Sequence, residues 1–214
     1  SSLYFFEAKI ARGSELITMV DFLVPQEKYL GAGAHIGTRT KNGTMREFIY
    51  KAREDGLHVL DLKKLDEHLR LAAALLSKYD AGKVFIVGSK ENAKQAIRKI
   101  CDLTGFQSIV GRFTPGRFTN PSRADFCEPE LVLVVDPAVD KQAVKEAFYV
   151  NVPIIALCDT NNSSKYLDVL IPTNNKGRKA IALIFWILSR ETLKNKGTVP
   201  SNEEFTTGQE EFEA

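Results

Sequence analysis

Between residues 57 and 194, short runs of β-branched and aliphatic residues alternate with stretches whose apolar positions recur every three to four residues. That alternation is the signature of βαβ units, and βαβ units build parallel sheets. The strand segments are 57–60, 84–87, 108–110, 131–135, 153–158 and 169–171. Several, such as Leu131-Val-Leu-Val-Val135, are apolar at every position, as a strand covered on both faces requires. Between them, Leu62, Leu65, Leu69, Ala72, Ala73 and Leu76 fall at helical spacing behind Asp61, whose carboxylate suits the first free N–H groups of a helix. Ser89 is placed to cap a helix with the buried stripe Ala93, Ala96, Ile97, Ile100 and Leu103, and Asp136-Pro137 to open a helix running to about Tyr149. The last helix, 177–194, is apolar on most faces around Trp186. The expectation is an α/β fold: one domain over 23–196, with a mainly parallel sheet between two helical layers.

The chain has 214 residues, 44% of them hydrophobic, which supplies a sizeable core and excludes a disordered chain. Its longest uninterrupted apolar run, Ala180 to Leu188, is about half the roughly 18 residues that would suggest a membrane span. Glu7, Lys9, Arg12 and Glu15 break up the opening segment where a secretory signal would be apolar, so a soluble intracellular protein is expected. Cys101, Cys127 and Cys158 lie far apart, without a Cys-x-x-Cys pair or a histidine cluster, which points to neither disulfides nor a metal site. The net charge of +2 is unevenly distributed. Residues 197–214 hold five acids and no Lys or Arg; without those five, 22 acids face 29 basic residues, a net of +7 on the body. A basic body suits a polyanionic partner, and 197–214 reads as an acidic flexible tail. Residues 1–22 read as a leader, part of it without bearing on function, since Met19 would also serve as a start.

Four polar clusters could carry a function. The first is Gly31-Ala-Gly-Ala-His-Ile-Gly37 with Thr38, Arg39 and Lys41, followed by Arg46, Tyr50, Lys51 and Arg53. Glycines allow close approach of a phosphate, and hydroxyls, His35 and the cations supply donors, a pattern suited to an RNA backbone; an ordinary Gly-rich surface loop fits the composition equally well. The glycines lack the full spacing of a dinucleotide fingerprint, and Gly88-Ser89-Lys90 lacks that of a triphosphate loop. The second cluster, Gly111-Arg-Phe-Thr-Pro-Gly-Arg-Phe-Thr-Asn-Pro121, would present Arg112, Arg117 and Asn120 beside two aromatic rings. At least one of Phe113 and Phe118 is expected to be a core plug. The third, Asp159-Thr-Asn-Asn162, follows a strand end, where a doubly wound sheet would hold a ligand, but no nucleophile or His–carboxylate pair accompanies it, and a polar turn with capping Asp and Asn is favoured. The fourth, Asn174-Asn-Lys-Gly-Arg-Lys179, opens the last helix and reads either as a phosphate site or as a solvated turn. His58 and His68 stand alone and read as structural.

Taken in order, Gly-Ala-His-Ile-Gly (33–37), Phe-Ile-Tyr-Lys (48–51), Asp-Gly-Leu-His-Val-Leu-Asp-Leu-Lys-Lys (55–64), the 111–121 loop, Ala-Phe-Tyr-Val-Asn-Val-Pro-Ile-Ile-Ala-Leu-Cys (147–158) and Ile-Pro-Thr-Asn-Asn-Lys-Gly (171–177) closely resemble the second family of small-subunit ribosomal proteins. The match is to its archaeal and eukaryotic form, which includes the laminin-receptor-like protein, and looks archaeal. The resemblance covers about 22–196. It implies a flavodoxin-like sandwich on the solvent side of the small ribosomal subunit near the head–body junction, in the cytoplasm. Ribosomal RNA and neighbouring ribosomal proteins are the implied partners, with no enzymatic activity, no cofactor, no membrane and no small-molecule substrate.

Two departures stand out. One helix only fits between Asp61 and Val84, where bacterial members insert a long helical hairpin, and the extension of animal members is replaced by the short acidic tail. By position, RNA contact is expected at His35, Thr38, Arg39, Lys41, Arg46, Lys51, Arg53, Lys63, Lys64, Arg112, Arg117, Asn120, Arg123, Lys176 and Arg178. The competing reading is a flavodoxin-like nucleotide-binding protein or enzyme using the turn at 159–162. Because residues 38–53 and 112–123 combine glycine with like charges, both should show higher crystallographic B-factors than the sheet in an RNA-free crystal; core-like values in both would overturn this.

Overall fold

A computed structural model describes residues 22–199 and 205–213; the expected leader falls outside these residues apart from Phe22. In chain order the elements are α1 (Gln26–Ala32), β1 (Ile49–Ala52), β2 (His58–Leu60), α2 (Leu62–Leu76), β3 (Val84–Gly88), α3 (Lys94–Thr104), β4 (Gln107–Val110), β5 (Leu131–Val134), α4 (Lys141–Tyr149), β6 (Ile154–Cys158), β7 (Val169–Pro172) and α5 (Arg178–Asn195). Five strands form a parallel sheet in the order β4-β3-β5-β6-β7, with Val87 beside Val134, Val134 beside Ala156 and Leu157 beside Ile171. The chain runs from β3 outward to β4, then returns to β5 on the other side of β3. This is the doubly wound order of a flavodoxin-like sandwich, as expected.

Strands β5 and β6 are buried at every residue, so both faces of the sheet must be covered. The two covers differ. On one face Ile86, Leu133, Ile155 and Leu157 pack with Leu65 and Leu69 of α2, Ile97 and Ile100 of α3, and Ile184 and Leu188 of α5. Helix α5 lies among α1, α2 and α3, which is why it is apolar nearly all round. On the other face a single helix contributes Ala143, Val144 and Ala147 of α4, and loops complete the layer with Met45, Phe48, Phe113 and Phe118. Each fully buried Leu, Ile or Phe contributes about 1.5–3 kcal/mol.

Several expectations need correction. The 57–60 strand does not join the parallel sheet; β2 pairs antiparallel with β1, Ile49 opposite Leu60. Strand β1 escaped notice because its residues are mostly exposed, without the apolar pattern that reveals a buried strand. Asp61 does cap α2, accepting from the N–H of Lys63 at 2.9 Å. Ser89 does not cap α3, which begins five residues later; its single hydroxyl proton is shared instead between Asp140 and the Gly111 carbonyl. Asp136 caps a turn, accepting from Ala138 N–H at 2.9 Å, while α4 starts only at Lys141. The described part of the tail makes contacts with the helices. Phe212 is buried against the α3 and α5 cluster, Trp186 Nε1 donates to the Thr207 carbonyl at 2.8 Å, and Lys99 pairs with Glu211. Reading 197–214 by charge overlooked its two phenylalanines.

The Gly-rich segment is fastened to the carboxyl ends of β6 and β7. Gly33, at φ +70°, closes α1, and Asn174 bonds the carbonyls of Gly33 and Ala34. Gly37 lies so close to Thr160 that a Cβ there would sit 2.4 Å from its Cγ2 and 2.9 Å from the His58 carbonyl oxygen. Replacing Gly37 by Ala should therefore cost about 1–3 kcal/mol through overpacking. Thermal unfolding should show it as a fall of several degrees, since about 2–4 °C follows each kcal/mol in a chain of this size.

Candidate nucleic-acid interface

A doubly wound sheet holds small ligands beyond the carboxyl ends of its strands, where strand order reverses. In this protein that place is filled by its own side chains. Lys90, after β3, reaches Asp136 at 2.6 Å and the Asn175 carbonyl at 2.9 Å. Asp136, after β5, accepts from Asn162 at 3.0 Å, and the Asn162 oxygen accepts from Asp159 N–H at 2.8 Å and from Asn175 at 3.0 Å. Asn175, after β7, also donates to the Leu157 carbonyl at 3.0 Å. Asp136, Asp159, Asn162 and Asn175 are all nearly inaccessible. Burial pushes the Asp140 and Asp159 carboxyls above the ordinary range, against the donations of Ser89 to the first and of the Thr160 N–H and Lys176 to the second. The Asp159–Asn162 turn thus closes on itself and on the sheet, and no helix follows it. Among the described residues no three metal-ligating side chains gather around one point. The three cysteines are free, and burial raises the Cys101 thiol to about 12.

The first predicted cluster divides in two. Its glycines and Thr38 serve packing, for the Thr38 N–H donates to the Thr160 hydroxyl at 2.9 Å, and the Thr38 carbonyl meets both His58 N–H and His58 Nδ1. His58 and His68 are structural as expected, the second bonding the Leu170 carbonyl at 2.6 Å through Nδ1. His35 is half-buried, its Nδ1 lacks a partner, and burial lowers its pKa. Arg39, Lys41, Arg46 and Lys51, by contrast, are exposed, with no carboxylate oxygen of a described residue within 4 Å, and Tyr50 beside them is 71% exposed. Arg53 pairs with Asp55 at 3.2 Å. Lys63 is exposed and Lys64 donates to the Glu47 carbonyl at 2.5 Å.

The second cluster is committed to the fold. Phe113 and Phe118 are both buried, edge to face at 5.0 Å, and Phe118 also meets Phe85, so neither ring is offered for stacking. The Glu146 carboxylate, on α4, anchors the loop by accepting from Gly116 N–H at 2.7 Å and Phe118 N–H at 3.1 Å. Glu146 was missed because a lone acid in an amphipathic helix carries no signal in the linear sequence. Arg123 forks onto Asp125 at 2.7 and 3.2 Å, Arg117 has a buried Nε, and the Asn120 oxygen accepts from Ser122 N–H. Arg112 alone among this loop's described cations is exposed and without such a partner. In the fourth cluster Asn174 accepts from the N–H groups of Lys176 and Gly177, Lys176 lies 3.5 Å from Asp159, and Arg178 donates to Asn92 at 3.3 Å. Among the residues expected to contact RNA, those left exposed without a carboxylate partner lie mainly on 39–51, with Lys63 and Arg112.

These features define a class: a flavodoxin-like α/β protein whose ligand crevice is closed by its own side chains and which carries exposed, unpaired cations on the segment before its β1–β2 hairpin. Ribosomal protein S2, as a family, matches the chain over residues 29–127 and 123–194. The chain is 48% identical over 192 residues to small ribosomal subunit protein uS2 of Thermofilum pendens, covering 90% of each. It is 42% identical over 205 residues to that of Staphylothermus marinus, covering 96% of this chain and 93% of the other, and 44% identical over 194 residues to that of Thermoplasma volcanium, covering 91% and 98%. The chain belongs to the ribosomal protein S2 family, as its motifs implied.

The Arg123–Asp125 fork separates a committed cation from a free one. It holds the Asp125 carboxyl down at about 2, with the Thr114 hydroxyl assisting. A ¹³C NMR titration should find that midpoint, and Arg123→Ala should move it up toward 3.8. An unchanged midpoint in the variant would mean that the fork does not form.

Proposed function

We propose that the chain is a non-enzymatic, structural constituent of the small ribosomal subunit. In this reading it binds ribosomal RNA through the 39–53 hairpin region, Lys63 and Arg112, and contacts neighbouring ribosomal proteins near the head–body junction, in the cytoplasm. The observation that carries the RNA surface is the division of the cations: Arg39, Lys41, Arg46 and Lys51 lie exposed without carboxylate partners, whereas Arg123 and Lys90 are paired with the protein's own carboxylates. Uncommitted cations displace counterions from phosphates with a favourable release entropy; cations already paired would first have to give up their carboxylates. His35, Thr38, Arg53, Lys64, Arg117, Asn120, Arg123, Lys176 and Arg178 then act by shaping the loops more than by touching phosphate.

The nucleotide-binding alternative at 159–162 is disfavoured by the filled crevice. A phosphate could enter only by breaking the Asn162 bonds to Asp136, Asp159 and Asn175, leaving buried polar groups unsatisfied at about 1–3 kcal/mol each.

Binding of the purified chain to small-subunit ribosomal RNA across a salt series tests the surface. In an Arg39, Lys41, Arg46 and Lys51 to Ala variant, the log–log salt slope should become shallower by about one for each phosphate that the protein no longer neutralises. Arg123→Ala should leave the slope unchanged. Equal slopes for both variants would remove the RNA surface from 39–53, and saturable nucleotide binding would favour the enzyme class.

A further inference from the structure

The outer side of α4 exposes apolar groups that neither the core nor the RNA surface uses. Five of the nine large hydrophobic residues exposed among the described residues lie on or beside it: Val139, Phe148, Tyr149, Val150 and Tyr166. The three rings are contiguous, since that of Phe148 lies 4.3 Å from that of Tyr166 and 6.2 Å from that of Tyr149. A groove of about 550 Å³ runs along one side, floored by Pro137, Ala138 and Val144 and walled by Tyr166. A second, of about 530 Å³, lies on the other side, between Tyr149 and Val150 and the 118–129 loop. An exposed apolar surface that is continuous with grooves marks a contact site more often than chance exposure does.

The backbone also holds this surface in place. Asn151 and Tyr166 are the two described non-glycine residues with positive φ, at 61° and 68°. Asn151 is explained, because it ends α4 with the Asn151 and Val152 N–H groups bonded to the Phe148 and Ala147 carbonyls. Tyr166 is not. It is the third residue of the Ser164–Leu167 turn, closed by Leu167 N–H to the Ser164 carbonyl at 3.1 Å, where glycine or asparagine is the unstrained choice. A bulky residue retained at such a position is a genuine outlier, of the kind that clusters at functional sites.

The rim gives the sign of the partner. Lys141, Lys145 and Lys165 line the first groove, and no carboxylate oxygen of a described residue lies within 4 Å of their ammonium groups. The acids beside the first groove are turned to internal work, Asp140 accepting from Ser89, Glu146 from the 116–118 backbone and Asp168 from Ile154 N–H, while exposed Glu128 borders only the second groove. Three unpaired cations around an apolar floor complement a segment carrying both carboxylates and apolar side chains. A nucleic acid fits less well. The Tyr166 ring is already engaged by Phe148, tilted against it at 4.3 Å, and by Lys165 Nζ at 4.7 Å, and the aliphatic floor offers a phosphate no donor.

Resting on the ribosomal role proposed above, we infer that this face of α4 docks an acidic, apolar segment of a neighbouring protein, seated over Tyr149 and Tyr166 between Lys141, Lys145 and Lys165. The test replaces Tyr149, 73% exposed, with p-benzoylphenylalanine in the full chain and rebinds it to purified small subunits stripped of their own copy. Occupancy is measured separately from photocrosslinking. The expected result is a crosslink to a protein peptide rich in Asp or Glu, whose yield falls about tenfold when Lys141, Lys145 and Lys165 become Glu. Tyr166→Gly suits the turn backbone, so it should lose the crosslink without loss of occupancy or thermal stability. With occupancy intact, a crosslink to RNA, to a second copy or to a peptide without acids, or no crosslink at all, overturns the inference. A chain that does not occupy the subunit overturns the ribosomal reading, and the inference falls with it.

Discussion

The pair of half-buried Lys90 and buried Asp136 holds together the carboxyl edge of the sheet, and through it the loops on which function rests. It joins the ends of β3 and β5, and the amides of Asn162 and Asn175 extend it to β6 and β7. The pair depends on these bonds, because desolvating the Asp136 carboxylate and part of the Lys90 ammonium costs more than their attraction returns unless the remaining lone pairs and protons are satisfied. Here the Asn175 carbonyl takes a further proton of Lys90, and Asp136 accepts from Asn162 and the Ala138 N–H. Four strand ends are fixed relative to one another as a result, and the space where a related fold would admit a nucleotide is gone.

The same edge anchors the Gly-rich segment. Thr160, buried at the end of β6, receives the Thr38 N–H and bonds the Thr40 carbonyl, while Asn174 after β7 holds Gly33 and Ala34. With 33–42 pinned at both ends, Arg39 and Lys41 project from the pinned segment, Arg46 from the residues that lead on to the β1–β2 hairpin, and Lys51 from β1 itself. A rigid edge carrying loosely committed cations suits an architectural binder of RNA, in which affinity comes from many phosphates and position from the scaffold. On the β4 side, the 112–127 loop is organised in the opposite way, around Glu146, the Phe113–Phe118 pair and the Arg123–Asp125 fork, so that of its cations Arg112 alone stands exposed.

The α/β class, the three layers and most of the strands and helices could be read from the chain because they rest on local periodicity. Val132, Leu133 and Val134 are apolar whichever way they point, and Leu65, Leu69, Ala72 and Leu76 repeat at the pitch of a helix. The motif order likewise led to the family. What eluded the sequence was partnership. Whether Arg117, Arg123 or Arg39 is free depends on which carboxylate folds beside it, and Ser89 and Asp136 look like helix caps until Asp140 and Asn162 arrive from far along the chain.

The sequence by itself thus determined the secondary structure of the sandwich, its buried strands and the family, since each is written in the spacing and identity of neighbouring residues. Only the tertiary structure decided that β2 leaves the sheet for a hairpin, that the crevice is sealed, that both phenylalanines of the 111–121 loop are buried, and which cations remain for a partner. These outcomes are set by contacts between residues some 20 to 140 positions apart, such as Thr38 with His58 and Gly33 with Asn174. Hydrogen bonds and ion pairs at that range depend on where the chain has been brought, and no local pattern encodes it.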